Sequence, residues 1–353
     1  MRIAYEETGF ELDAAGSARA ARGLREALRA RDDVELLEIA QPGSGGGRVR
    51  RGLERELTWF PWRLPRAARS RGADLLHCPM PLAPPVPFGL PTVVTVGDAL
   101  PWTNPEWMTR AHALHARLVM RGALRRAAAV IVPSQYTRSQ LVAAVGGLDA
   151  ARVHVTPWGL EPQFTPGPGP AGRGPYLLTV GTLQPRKNLE GALAAFERLD
   201  DAGHRLLVVG ASGWREDELR ARLDASPARE RVELLGRVSD EELVTLYRGA
   251  ACLLFPSLAE GFGLPLTEAM ACGTPVVAAD AGSLPEVAGG AAALADPHDP
   301  DALAAAVRDV LAHREAWRAR GLERAATFTW AACAEATVDV YREVTARTRR
   351  IAS

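Results

Sequence analysis

Two short stretches carry charged residues whose spacing suits them to an anionic leaving group. The first is Gly181-Thr-Leu-Gln-Pro-Arg-Lys-Asn188, directly after the strand-like run Tyr176–Val180. A guanidinium fork at Arg186 and a point charge at Lys187 can together hold a diphosphate. Lys187 is the only lysine among 42 basic residues, so a compact ammonium is kept where arginine was otherwise preferred. Asn188 reads as the N-cap of a helix with Leu189, Leu193, Phe196 and Leu199 on its apolar face. The plainer alternative is a solvated basic turn. The second stretch, Glu260-Gly-Phe-Gly-Leu-Pro-Leu-Thr-Glu268, sets Gly261, Phe262, Gly263 and Leu264 between two carboxylates. The glycines allow close backbone approach, and the first amides of the following helix, near Gly263 and Leu264, can receive an anion. Pro265 suits the first helical turn and Gly273 its end. One of the two carboxylates can then accept hydrogen bonds from sugar hydroxyls and the other from ribose hydroxyls. Singly, each has a plain structural explanation, as a solvated loop charge and a helix-dipole partner. A third stretch, Leu235-Gly-Arg-Val-Ser-Asp240, ends a strand and caps a helix at Ser239 or Asp240. Its backbone at Arg237 and Val238 could read the edge of a nucleobase.

Aliphatic and β-branched runs alternate with helical patterns along the chain, as in a parallel sheet with crossover helices. The predicted strands are Arg2–Glu6, Val34–Ala40, Asp74–His77, Thr92–Val96, Val130–Val132 and Val153–Thr156 in the first half. In the second half they are Tyr176–Val180, Leu206–Gly210, Val232–Leu235, Cys252–Phe255 and Val276–Ala279. The Pro/Gly-rich stretch from Glu161 to Pro175 reads as an interdomain linker. Two doubly wound halves would leave a crevice at the carboxyl edges of their sheets, where ligands usually bind. From Trp330 to Arg349 a final helix carries one apolar stripe of Cys333, Thr337, Val340, Tyr341 and Val344. Gly43-Ser-Gly-Gly-Gly47 reads as a loop rather than a phosphate cradle.

At 353 residues the chain exceeds the usual span of one core, so two domains are expected. Basic and acidic residues number 42 each, which gives no support to bulk nucleic-acid binding. The start, MRIAYEETGF, has no apolar signal core, and no apolar run is long enough to span a bilayer. A soluble, cytoplasmic protein is expected. Cys78, Cys252, Cys272 and Cys333 lie far apart in apolar surroundings and read as reduced core residues. No cysteine or histidine ladder offers metal-ligand spacing.

Taken together, these segments resemble the retaining GT-B glycosyltransferases of family 4. Glu260 to Glu268 resembles the family's Glu-x7-Glu motif, with Arg186-Lys187-Asn188 in the expected earlier position. Val155-Thr-Pro-Trp-Gly159 and Gly282-Ser-Leu-Pro-Glu-Val287 add to the likeness. The resemblance implies an α/β fold of two Rossmann-like domains facing across a cleft. Residues 1–165 would form the acceptor side, 166–175 the linker and 176–330 the nucleotide-sugar domain, with 331–353 crossing back onto the first. It also implies a nucleoside diphosphate sugar, GDP- or UDP-linked, as donor substrate and a glycan or lipid-linked acceptor. Neither metal nor cofactor is implied, since two cations and a helix terminus take the part of a divalent ion. Gly181, Arg186 and Lys187 would hold the diphosphate, Glu268 the ribose, and Glu260 with residues 261–264 the sugar and distal phosphate.

Two departures stand out. Where the family's strand ends in His-Asp, this chain has Gly97-Asp98. A positioned imidazole contributes roughly 10²–10⁴-fold, so either His77 or Asp98 substitutes or turnover is reduced. The first glycine-rich loop, Asp13-Ala-Ala-Gly-Ser-Ala-Arg19, keeps Gly16 without the usual paired glycine. A catalytically impaired sugar-nucleotide-binding protein and a GT-B epimerase are the competing readings. Finally, Arg110, Arg117, Arg121 and Arg125 fall near one face of a helix from Arg110 to Arg126. Such a face suits peripheral contact with the inner surface of a membrane, although a solvated helix explains it too.

Overall fold

The computed structural model describes residues 1–11, 16–42, 52–84, 88–199, 203–213 and 216–352. The Gly43–Gly47 stretch and residues 13–15 of the first glycine-rich loop lie outside them. The chain forms two units: Met1–Gly159 with Thr329–Ser353, and Leu160–Phe328.

The first unit holds a six-stranded parallel sheet of β1 (Arg2–Glu6), β2 (Glu35–Ile39), β3 (Leu75–Cys78), β4 (Thr92–Thr95), β5 (Ala129–Val132) and β6 (Val153–Val155), in the order β2-β1-β3-β4-β5-β6. The second holds β7 (Tyr176–Val180), β8 (Arg205–Val209), β9 (Val232–Gly236), β10 (Cys252–Phe255), β11 (Val276–Ala279) and β12 (Ala293–Ala295). Its order is β12-β11-β10-β7-β8-β9, again parallel throughout. The eleven strands read from the sequence are present with ends shifted by a residue or so. The twelfth, Ala293–Ala295, went unpredicted because it is a three-residue edge strand without a β-branched side chain. In this second sheet the winding reverses between β7 and β10, the switch point where doubly wound sheets bind ligands.

The stretch read as a linker is part of the second unit. Arg248 donates to the Thr165 carbonyl oxygen at 2.7 Å and to its hydroxyl at 3.0 Å. Gly169 packs so closely on Gly249 that an added Cβ would lie 2.4 Å from the Gly249 Cα. Proline and glycine here permit close backbone packing rather than mobility.

The Trp330–Ala352 helix belongs to the first unit. Cys333, Thr337, Val340, Tyr341 and Val344 are all buried, and the apolar members join Ile3, Tyr5, Leu24 and Ile131 in one core cluster. Gly23 meets Trp330 there, where an added Cβ would lie 2.2 Å from the indole. His77 ties the arrangement together. Its ring nitrogens contact the Tyr341 hydroxyl at 2.6 Å and the Thr95 hydroxyl at 2.8 Å. Burial lowers its pKa to about 3, so the imidazole is neutral and saturated with partners. His77 is therefore a structural residue, not the substitute for the missing imidazole. All four cysteines are free and buried. No described helix is long and apolar enough to cross a membrane.

Replacing Tyr341→Phe leaves one buried ring nitrogen of His77 without its partner. The expected cost is about 1–3 kcal/mol in urea unfolding; wild-type stability would show that this hydroxyl does not anchor the final helix.

Candidate functional site

The loops after β7 and β10 leave neighbouring strands on either side of the second sheet's switch point. That placement brings together residues 74 positions apart in sequence. After β7 a single tight turn, Pro185–Lys187, carries Arg186 and Lys187. Asn188 then takes the left-handed conformation at φ 51°, the only non-glycine residue with positive φ among the described residues. Its side-chain oxygen accepts from the Gly191 amide at 3.2 Å, capping the Leu189–Glu197 helix. Its amide nitrogen donates to the carbonyls of Pro256 at 3.1 Å and Pro297 at 2.7 Å. One asparagine thus starts a helix and pins the β10 loop beside it. The Leu258 amide adds a further link, donating to the Arg186 carbonyl at 2.8 Å.

Lys187 does not project into solvent. It folds back over Gly181, where an added Cβ would lie 3.0 Å from its Cδ. Its Nζ donates to Glu260 Oε1 at 2.5 Å and sits 5.2 Å from the Phe255 ring centroid. Arg186 donates to Glu260 Oε2 at 3.2 Å and to Gln184 at 3.2 Å. Glu260 is only 8% exposed. Burial drives its pKa up, but the charges of Lys187 and Arg186 outweigh that, and the carboxyl is held below its ordinary value of 4.5. A buried carboxylate clasped by two cations is the electrostatic centre of the second unit.

The backbone beneath it is shaped by glycine. Gly282 backs onto Glu260, leaving only 2.9 Å between an added Cβ and the Glu260 amide nitrogen. The Ser283 amide donates to the Glu260 carbonyl at 3.2 Å. Gly263 starts the Leu264–Ala271 helix at φ 96°, a conformation an L side chain rarely adopts, and an added Cβ would strike Leu284 at 2.7 Å. Gly261 to Leu264 are buried, and Phe262 stacks edge-to-face on Phe328 with centroids 5.5 Å apart. Glu268 lies inside that helix, 2% exposed, accepting from the Tyr247 hydroxyl at 3.0 Å. Arg237 is exposed and Val238 half-buried in the turn after β9, beside Gly236 at φ 69°.

Of the residues singled out in the sequence, the structure joins Gly181, Arg186, Lys187 and Glu260 directly. Asp98 belongs to the first unit, where it accepts from the Leu100 amide at 3.0 Å. An added Cβ at Gly97 would lie 3.1 Å from the Trp158 ring and 3.2 Å from the Ser17 hydroxyl. The indole crowds the position where an imidazole was expected. Sequence reasoning missed Tyr247 and Gly282 as supports of the two glutamates. Tyr247 lies on the inward side of a capped helix, which the apolar spacing of Leu243, Val244 and Leu246 could have flagged.

Residues 163–325 match the family described as Glycosyl transferases group 1, and residues 14–164 match Glycosyltransferase Family 4. Over 268 residues the chain is 33% identical to the O-antigen chain mannosyltransferase B of Escherichia coli, covering 71% of this chain and 70% of that one. It is 37% identical over 228 residues to the D-inositol 3-phosphate glycosyltransferase of Mycolicibacterium smegmatis, covering 60% of this chain and about half, 52%, of that one. The fold superposes on sucrose-phosphate synthase from Thermosynechococcus elongatus with a TM-score of 0.79, at 23% identity, over 98% of this chain and all of the other. Anabaena HepE in complex with UDP-glucose gives a TM-score of 0.74 at 18% identity, over 98% of this chain and 100% of that one. With two parallel sheets of GT-B type and matches that run almost the length of the chain, the protein belongs to the group 1 glycosyltransferases and is a glycosyltransferase.

Proposed function

We propose that the chain transfers a hexose from a nucleoside diphosphate sugar to a glycan or lipid-linked glycan, with retention of anomeric configuration. Supporting this reading is the pair of cations, Arg186 and Lys187, fixed 3.2 and 2.5 Å from one buried carboxylate at a sheet switch point. Two cations held on one anion are preorganised for a second anion, the diphosphate that leaves when the sugar departs. They neutralise the charge that develops on that leaving group, the task a divalent ion performs in other enzymes, so the reaction needs no metal. Glu260 shares the cations with the diphosphate and accepts from the donor sugar's hydroxyls. Residues 261–264 turn the start of the Leu264–Ala271 helix toward the distal phosphate. Glu268, set by the Tyr247 hydroxyl, accepts from the ribose, and the backbone at Arg237 and Val238 meets the base. A front-side, oxocarbenium-like substitution needs no carboxylate nucleophile.

Mannose is the favoured sugar, because two of the matching relatives, from Escherichia coli, are named mannosyltransferases. GDP-mannose should therefore stabilise the chain more than UDP-glucose or UDP-galactose in a thermal-shift panel. At 100 times its dissociation constant, a donor that binds only the folded state stabilises by about 2.7 kcal/mol. A shift confined to the UDP sugars would overturn the mannose assignment.

Arg186→Gln keeps Lys187 on Glu260 and so preserves the fold while removing one cation. Transfer from the preferred donor should fall about 10²-fold in kcat/KM; an unchanged rate would remove Arg186 from the chemistry. Glu260→Gln leaves both cations without their anion, at a cost of about 3 kcal/mol in urea unfolding at pH 7. The Glu260 carboxyl titrates below 4.5 in the folded chain, so its contribution is complete above that pH and lost as acid protonates the native carboxylate. The deficit of the variant relative to wild type should shrink accordingly in acid, and a deficit independent of pH would contradict the ion cluster.

A further inference from the structure

A guanidinium offers an anion two forked faces: end-on, through Nη1 and Nη2, and side-on, through Nε and Nη2. At Arg186 the protein already occupies part of both. Nε donates to Gln184 Oε1 at 3.2 Å, and Nη1 donates to Glu260 Oε2 at 3.2 Å and to the Ala259 carbonyl at 3.5 Å. Among the described residues, Nη2 donates to none. Gln184 therefore closes the side-on face, whereas the end-on face opens as soon as Nη1 leaves Glu260. Without Gln184 the guanidinium would hang on Nη1 alone, with the rotamer freedom of a long side chain.

Gln184 is itself held firmly. A residue before proline is steered into the extended region, and Gln184, preceding Pro185, lies there at φ −128° and ψ 147°. Its amide donates to the Thr182 carbonyl at 2.7 Å, and the Leu183 amide just before it donates to the Ala211 carbonyl at 3.0 Å. The Gln184 carbonyl accepts from the Lys187 amide at 2.9 Å, closing the tight turn. One residue thus holds both cations, Lys187 through its backbone and Arg186 through its side chain. Arginine Nε only donates, so the Gln184 amide must turn its oxygen toward Arg186. Being neutral, that oxygen orients the guanidinium without cancelling its charge.

We propose that Gln184 is a positioning residue that presents the end-on face of Arg186 to the donor diphosphate. This rests on the diphosphate contact proposed for Arg186. The test is a double-mutant cycle on the full chain, read by calorimetric binding of GDP and of UDP. Gln184→Met removes the acceptor at nearly the same length and leaves the backbone contact to Lys187 in place. It should weaken binding of the preferred nucleotide about fivefold, through the freedom that Arg186 regains. Arg186→Gln weakens binding by itself, and adding Gln184→Met to it should change affinity by less than about twofold, because the group being oriented is gone. Circular dichroism checks the fold, and Gln184→Leu repeats the cycle should the methionine variant fold poorly. Undiminished binding by the Gln184 variant overturns the proposal. So does an equal loss with and without Arg186, which is what a general slackening of the turn would give. The diphosphate contact fails separately: wild type binding neither nucleotide, or Arg186→Gln binding as tightly as wild type, removes that contact and the role of Gln184 with it.

Discussion

A carboxylate taken out of water must be compensated by charge, and at Glu260 the compensation comes from two cations on a different loop. This requirement governs the surrounding architecture. Lys187 and Glu260 are 73 residues apart, and they meet because β7 and β10 pair in parallel and end at the same sheet edge. Asn188 holds the two loops in register through the Pro256 carbonyl. Gly263 and Gly282 give the backbone room to deliver Glu260 to that point. Removing Glu260 strands two cations and removing Lys187 leaves the buried carboxylate with Arg186 alone, whereas Arg186 can move while Lys187 still holds Glu260.

In the proposed reaction the same electrostatics make the cluster a receptor for the diphosphate. Arg186 keeps more solvent contact than Lys187, with side-chain exposures of 22% and 10%. An incoming dianion can therefore recruit the guanidinium first while Lys187 stays on Glu260. In the proposed reaction this sequence lets binding proceed without ever exposing a bare buried carboxylate. It also bears on the single lysine in an arginine-rich chain: a guanidinium at position 187 would have to fit against Gly181, where a slender methylene stem now lies, and over Phe255, where a compact ammonium now sits.

Much of this was legible in the sequence. The strands after which the charged loops begin, Tyr176–Val180 and Cys252–Phe255, are short aliphatic runs bounded by turn residues, and their ends were read correctly. The proline and glycine of the Leu264–Ala271 helix announced its start. What the sequence concealed was long-range partnership. Nothing local to His77 shows that Tyr341 will saturate it, because the two are 264 residues apart. Nothing local to Arg186 and Lys187 shows that they turn inward to a glutamate. Glycine and proline near 166–175 signalled a break in regular structure, but only the contacts of Arg248 and Gly249 reveal a stretch packed on the second unit. Gly97 looked like a lost group; in the structure the Trp158 ring lies against it.

In the proposed reaction Arg186 and Lys187 are held ready for a diphosphate by a carboxylate they already share. A crystal structure with a nucleoside diphosphate bound tests it most directly. Phosphate oxygens are expected within hydrogen-bonding reach of both cations, with Arg186 turned from Glu260 toward them. A nucleotide bound elsewhere, with the three side chains still clasped and no phosphate beside them, would contradict it.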